Sequence, residues 1–190
     1  MQPQDYLRVQ AQNNAWANHR LLEACARLTQ EALEAARVGF FPSLLATLNH
    51  ILIVDWFYVD ALEGGGLGPA AWADETPCKT LADLRREQSA VDQRLIVLCG
   101  RLDRAALGTA VRLIRPDGDR FERLDRVLLH LFEHQIHHRG QAHAMLSGTA
   151  VAPPQLDEFF LGQDAQVRRG DLAALGWTEE GLWRAWPAPQ

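Results

Sequence analysis

Four of the chain's seven histidines fall in one stretch, Leu129-His130-Leu131-Phe132-Glu133-His134-Gln135-Ile136-His137-His138-Arg139-Gly140-Gln141. Imidazole binds transition metals and moves protons near neutral pH, so what these four can do depends on which of them share a face. On a helix, at about 100° per residue, His130, His134 and His138 form a stripe drifting about 40° per step, while His137 turns about 100° away from His138. The four cannot converge on one point. The apolar seam of such a helix, Leu124, Val127 or Leu128, and Leu131, steps onto His134, His138 and Ala142 before Met145 resumes it. Two imidazoles in a buried seam need partners, because an unpaired buried polar group costs roughly 1 to 3 kcal/mol. A divalent metal partners both, and the i, i+4 spacing is that of H-E-x-x-H zinc helices. Here Gln135, Ile136 and His137 intervene, so the glutamate of that motif is missing and a metalloprotease is not expected.

A pair does not close a site. The further ligand candidates are His19, His50, His130 and His143, and His50 fits best because it lies on a stripe of Ala46, Thr47, Ile53, Val54 and Phe57. Three histidines without a fourth protein ligand form an open centre, the pattern of catalytic rather than structural zinc. Zinc is the first expectation; nickel, iron and copper also accept imidazole. A small metallohydrolase would need a nearby base, and the acids at hand are poorly placed. Glu133 is turned about 100° from His134, and Asp55 about 140° around from His50. In a third, non-enzymatic reading, the metal only ties two helices together. Around the centre, the Arg139 fork could hold a carboxylate or pair with Asp55 or Glu133. Gln141 stands one turn beyond His138, where it can fix a hydrogen bond, and His130 is expected to pack or support rather than ligate. Asn18 and Trp16 could line the cavity from the first helix, or simply pack.

The positioning elements follow from apolar periodicity. Steps of three and four residues predict a helix from Asp5 to about Leu28, and a second that Pro42 starts and Gly64-Gly65-Gly66 stops. A third is expected from Thr80, a plausible N-cap with Asp83 as capping-box acid, to about Gly100. The fourth runs from about Arg123 to Leu146, ending at Gly148. Between the last two, Thr109 to Phe121 reads as a short hairpin around Pro116-Asp117-Gly118. The expected fold class is all-α, a four-helix bundle, either up-and-down or with one longer crossover. The bundle domain is assigned residues 1–163. Residues 164–190, which carry Trp177, Trp183 and Trp186, form an extension that packs on the bundle or makes a dimer contact.

Length and composition agree with one domain: 190 residues, 47% hydrophobic and 23% charged, mean hydropathy −0.19. Nineteen Lys and Arg against 24 Asp and Glu give a net charge of −5, and no basic block follows a helix face, so nucleic acid is not an expected partner. The apolar run Leu44 to Leu62 is broken by Asn49, His50, Asp55 and Asp60, which makes it a core helix rather than a membrane span. Cys25, Cys78 and Cys99 are odd in number and lack a C-x-x-C, which excludes a disulfide framework or thiolate zinc site and suits the reducing cytoplasm. No basic and apolar leader opens the chain, so no secretory signal is expected. The glycine run lacks the Gly-Lys-Ser/Thr of a phosphate loop.

With these residues in view, the sequence resembles the DinB family, DNA-damage-inducible proteins grouped as metal-dependent enzymes on a four-helix bundle. The resemblance covers roughly residues 5 to 162. Its most specific part is His134 to Gln141, similar to the family's H-x-x-x-H-R-G-Q box, with His130 upstream. Asn14-Ala15-Trp16-Ala17-Asn18, Thr47-Leu48-Asn49-His50-Ile51-Leu52 and Pro154-Gln155-Leu156-Asp157 support it. The resemblance implies metal ligation by His50, His134 and His138, a role in stress response and a homodimer. It also implies an activity, since the wider superfamily includes transferases in which a metal activates a low-molecular-weight thiol for attack on a small-molecule electrophile.

Overall fold

Apolar steps of three and four become four long helices in the computed structural model, which describes residues 2–186. In chain order the elements are α1 (Pro3–Cys25), α2 (Gln30–Glu34), α3 (Leu44–Leu62), α4 (Leu81–Arg101), strands β1 (Ala110–Leu113) and β2 (Arg120–Arg123), α5 (Leu124–Ser147), α6 (Ala165–Ala174) and α7 (Glu179–Trp183). The architecture is the expected all-α bundle with a hairpin before its last long helix. In cross-section α1 packs on α4, α4 on α3, α3 on α5 and α5 back on α1. Consecutive long helices α1 and α3, and likewise α4 and α5, therefore lie diagonally. Residues 26–43 and 102–123 both cross the bundle, so two crossovers replace the simple up-and-down order.

Boundaries shift where a cap intervenes. α1 stops at Cys25 rather than Leu28 because Thr29, accepting from the Ala32 N–H at 3.2 Å, caps the short α2, which the periodicity did not reveal. Ser43, accepting from Ala46 N–H at 3.1 Å, is the cap of α3, so Pro42 precedes the helix instead of occupying its first turn. Thr80 caps α4 as expected, but the Asp83 carboxylate accepts from its hydroxyl rather than its backbone N–H. Gly64, at φ 81°, ends α3 in the left-handed region that a side chain disfavours. The hairpin pairs Val111 with Glu122 and turns through Gly118 at φ 114°, burying Val111 and Leu113.

α3 is long and apolar enough to cross a membrane by length and composition, and 67% of that window is buried inside the bundle. A second, smaller apolar cluster joins Val9, Trp16 and Ala17 of α1 to Phe159, Leu172 and Leu182. The extension, as far as residue 186, thus packs on α1. Its fully buried Arg168 donates to Glu179 and to the Leu161 carbonyl, which lets a guanidinium sit over the Trp183 ring without an unpaired charge.

Candidate metal centre

α3 and α5 face each other, and their contact brings together His50, His134 and His138. Ring centroids stand 5.0 Å apart for His50 and His134, 4.5 Å for His50 and His138, and 4.4 Å for His134 and His138. One ring nitrogen from each lies within 4.8 Å of the others, and the two Nε2 atoms of His50 and His134 are 3.0 Å apart. Tetrahedral ligation at 2.0–2.1 Å sets nitrogens about 3.4 Å apart, so the trio is within small side-chain adjustments of a metal's needs.

Electrostatics points the same way. Burial, and then the neighbouring imidazoles, push the pKa of His50 down to about 4 and that of His134 to about 3. Burial also lowers His138, against a hydrogen bond that works the other way. All three are neutral at pH 7, the state a metal requires. Nδ1 of His138 donates to Gln141 Oε1 at 2.9 Å, which fixes the tautomer with the Nε2 lone pair free. The buried Nδ1 of His134 has no partner among the described residues. Among the described residues no other His, Cys, Asp or Glu joins the group, so the donor set fits a metal held by three nitrogens with a position left open.

Over this trio lies the loop before α3. The Phe41 ring stands 4.3 Å from that of His50 and 5.6 Å from that of His138, with Phe40 at 6.5 Å from His138. A Cβ at Gly39 would come within 2.2 Å of Met145 Cε, so this loop lies directly on α5 and only glycine fits without displacing that methionine. Beside His50 opens a pocket of about 440 Å³, walled by Phe40, Phe41, Ala46, Ile53, Val54 and Trp72, with Glu75 and Thr76 at its polar edge. The aromatics of this pocket escaped the sequence reading because loop residues have no period; their only signal was the adjacent pair Phe40-Phe41 before Pro42.

The remaining expected residues divide by helix face. Gln141 does support the trio, and it also donates from Nε2 to His137 Nε2 at 3.0 Å; His137 stands edge-on to the His138 ring at 4.8 Å without joining the cluster. His130 is exposed, edge-on to Tyr58 at 5.2 Å and 6.3 Å from His134. His143 bonds the Pro154 carbonyl, and His19 lies across the molecule on α1. Trp16 is fully buried against Phe159 and bonds Asp171, so it packs the extension instead of lining the histidine cavity.

Arg139 and Asn18 are not at the cavity either. Turned about 100° from His138, Arg139 points into the bundle and donates to Asn14, Asn18 and Gln135 at 2.5, 3.0 and 2.9 Å. It forms no ion pair with Asp55 or Glu133 among the described residues. Asn14 and Asn18 pass the network to Asp92, and Gln88 links Asp92 to Asp55 with hydrogen bonds of 3.2 and 2.7 Å. Burial first, and then Asp92, push Asp55 up to about 7; burial pushes Asp92 up to about 6 and Arg139 down to about 10.

The profile of the DinB family matches residues 1–169. The chain belongs to the DinB family. Among curated proteins, it is 24% identical to Protein DinB of Bacillus subtilis (strain 168) over 148 residues, 74% of this chain and 85% of that one. The solved structure of a DinB-like protein from Bacillus cereus ATCC 10987 shares the fold, with a TM-score of 0.57 at 16% identity over 74% of this chain and 90% of that one. A three-histidine cluster on a DinB bundle is consistent with metal binding.

Proposed function

We propose that this DinB-family protein is a metal-dependent S-transferase that moves a low-molecular-weight thiol onto a small electrophile. The observation that carries the reading is the convergence of three neutral imidazoles, with no fourth protein ligand among the described residues, beside an apolar pocket. A divalent ion held there, zinc in the first place and nickel or iron by the same ligand chemistry, supplies Lewis acidity that keeps a thiol sulfur as thiolate at neutral pH. His50, His134 and His138 hold the ion, Gln141 keeps His138 in its ligating tautomer, and the Phe41 ring restricts water. The electrophile occupies the pocket against Ile53, Val54 and Trp72. The thiol gives its proton to solvent water, a sulfur–carbon bond forms, and the bond from that carbon to its leaving group breaks with the electron pair on the leaving group. Hydrolysis is less well supported, because Asp55 is tied into the interior network and Glu133 is exposed outside the cluster.

Intact-mass analysis of candidate thiols incubated with 1-chloro-2,4-dinitrobenzene tests the reading. Conjugates that form with metal-loaded protein and are lost on chelation support it. No metal-dependent adduct with any biological low-molecular-weight thiol overturns it.

A further inference from the structure

The pocket beside His50 has two walls of different origin. Ala46, Ile53 and Val54 stand on α3, so their distance from His50 is set by the helix they share with it. Trp72, Glu75 and Thr76 come from the segment between α3 and α4, whose regular part is a 3-10 turn at Gly68–Trp72. Trp72 is held through its ring, 4.7 Å from that of Phe57 and 5.6 Å from the Arg115 guanidinium. Residues 73–77 lie outside the core: Ala73, Asp74 and Glu75 are exposed, and Thr76 and Pro77 half-buried.

An exposed segment with little apolar contact keeps one place where hydrogen bonds fasten it. The Thr76 N–H and the Lys79 ammonium both turn to Asp74, at 2.8 and 3.4 Å, which shapes the segment without tying it to the bundle. Among the described residues, 73–78 are hydrogen-bonded to the long helices through a single side chain, that of Asn49. Its Oδ1 accepts from the Cys78 N–H and its Nδ2 donates to the Cys78 carbonyl, each at 2.9 Å, the pair of bonds that a neighbouring strand would make. The second amide hydrogen goes to the Leu45 carbonyl one turn back, also at 2.9 Å, so the amide plane has one orientation. Asn49 is fully buried, and a side chain lacking either donor or acceptor leaves part of this set unpaired. Cys78 thereby joins the core, and the residues just before it, Glu75 and Thr76, are brought to the edge of the pocket. Asn49 directly precedes His50, so one turn of α3 carries both a histidine of the trio and the fastening of the loop wall.

We infer that Asn49 is a positioning residue for the pocket: by clamping Cys78 it holds Glu75 and Thr76 at a fixed distance from His50, and so sets the affinity for the electrophile without touching it. This rests on the reading of the pocket as the electrophile site. Two variants test it, Asn49→Ala, which removes the clamp, and Pro77→Gly, which loosens the segment from outside the core and leaves Asn49 in place. Calorimetric titration of the metal-loaded proteins with 1,3-dinitrobenzene, the analogue without the chloride that a thiolate displaces, reads binding without chemistry. Affinity should fall about tenfold in Asn49→Ala and by a smaller factor in Pro77→Gly, with the metal content of both unchanged. With thiol present, the same loss should appear in KM for 1-chloro-2,4-dinitrobenzene while kcat stays near the native value. Where Asn49→Ala does not fold, Pro77→Gly decides alone. Native affinity for 1,3-dinitrobenzene in either folded variant, a loss of metal that accompanies the loss of affinity, or a native protein that does not bind the probe would each overturn the inference. A native protein that binds the probe and conjugates no thiol counts against the S-transferase reading alone, so the two failures are told apart.

Discussion

Adjacent histidines on one helix have unequal standing. Replacing His50, His134 or His138 by Ala removes one of three nitrogens and should lower metal affinity by orders of magnitude, whereas His137→Ala and His130→Ala should keep most of the metal. Metal analysis after dialysis, with circular dichroism to confirm folding, checks this; a folded His137→Ala protein without metal would move the centre to another face. The metal-free protein carries a second test in its pH dependence. The folded-state pKa values of His50 and His134 lie below the ordinary 6.5, so the unfolded chain takes up more protons as pH falls beneath about 6.5, and stability is lost towards about pH 3. Asp55 and Asp92 act oppositely: folded, they keep protons up to about 7 and 6, while unfolded they release them above 3.8, so their share of stability grows as pH falls through that window. Asp55→Asn removes part of this compensation. Its melting temperature should drop more steeply between pH 6.5 and 4 than that of the native chain, and parallel curves would refute the raised pKa of Asp55.

At the scale of elements, the trio was legible because helical period alone puts His134 and His138 on the seam and His50 on an apolar stripe. The same geometry, applied one residue further, turns Arg139 about 100° away from the site, which outweighs the anion contact that its guanidinium chemistry suggests. The interior network of Asn14, Asn18, Gln88, Asp92 and Arg139 was not legible, because its members come from three helices whose mutual arrangement no single period encodes. For the same reason the diagonal placement of α1 and α3 could not be read: an apolar face says that a neighbour exists, not which one it is. Thr29 and Ser43 were recognisable cap types, and reading them as stops would have placed α2 and the start of α3 correctly.

Across the whole molecule, the extension beyond residue 163 is tied to the bundle mainly through α1, where Trp16 fills the space against Phe159 and Arg20 lies 4.9 Å over its ring. Trp16→Ala should cost about 3 to 5 kcal/mol of stability by leaving a cavity between bundle and extension. The folded fraction should bind metal as before, since the indole is on α1 and the ligands are on α3 and α5. Chemical denaturation followed at several metal concentrations separates the two effects, and a Trp16→Ala protein that unfolds at the native midpoint would contradict the role given to this ring.

The two crossovers also bear on how the chain is made. Because α1 lies diagonally from α3, a ribosome releasing the first 62 residues has released neither principal partner of its most apolar helix. α4 ends 39 residues later and α5 ends at Ser147, so at about 5 to 20 residues per second α3 waits some seconds in an unfinished nascent chain. During that interval it presents a 19-residue apolar helix of mean hydropathy 1.2, long enough to cross a membrane by length and composition. The acids within it, Asp55 and Asp60, make that helix costly to place in a bilayer, about 2.5 to 3.5 kcal/mol for each that falls at the membrane centre.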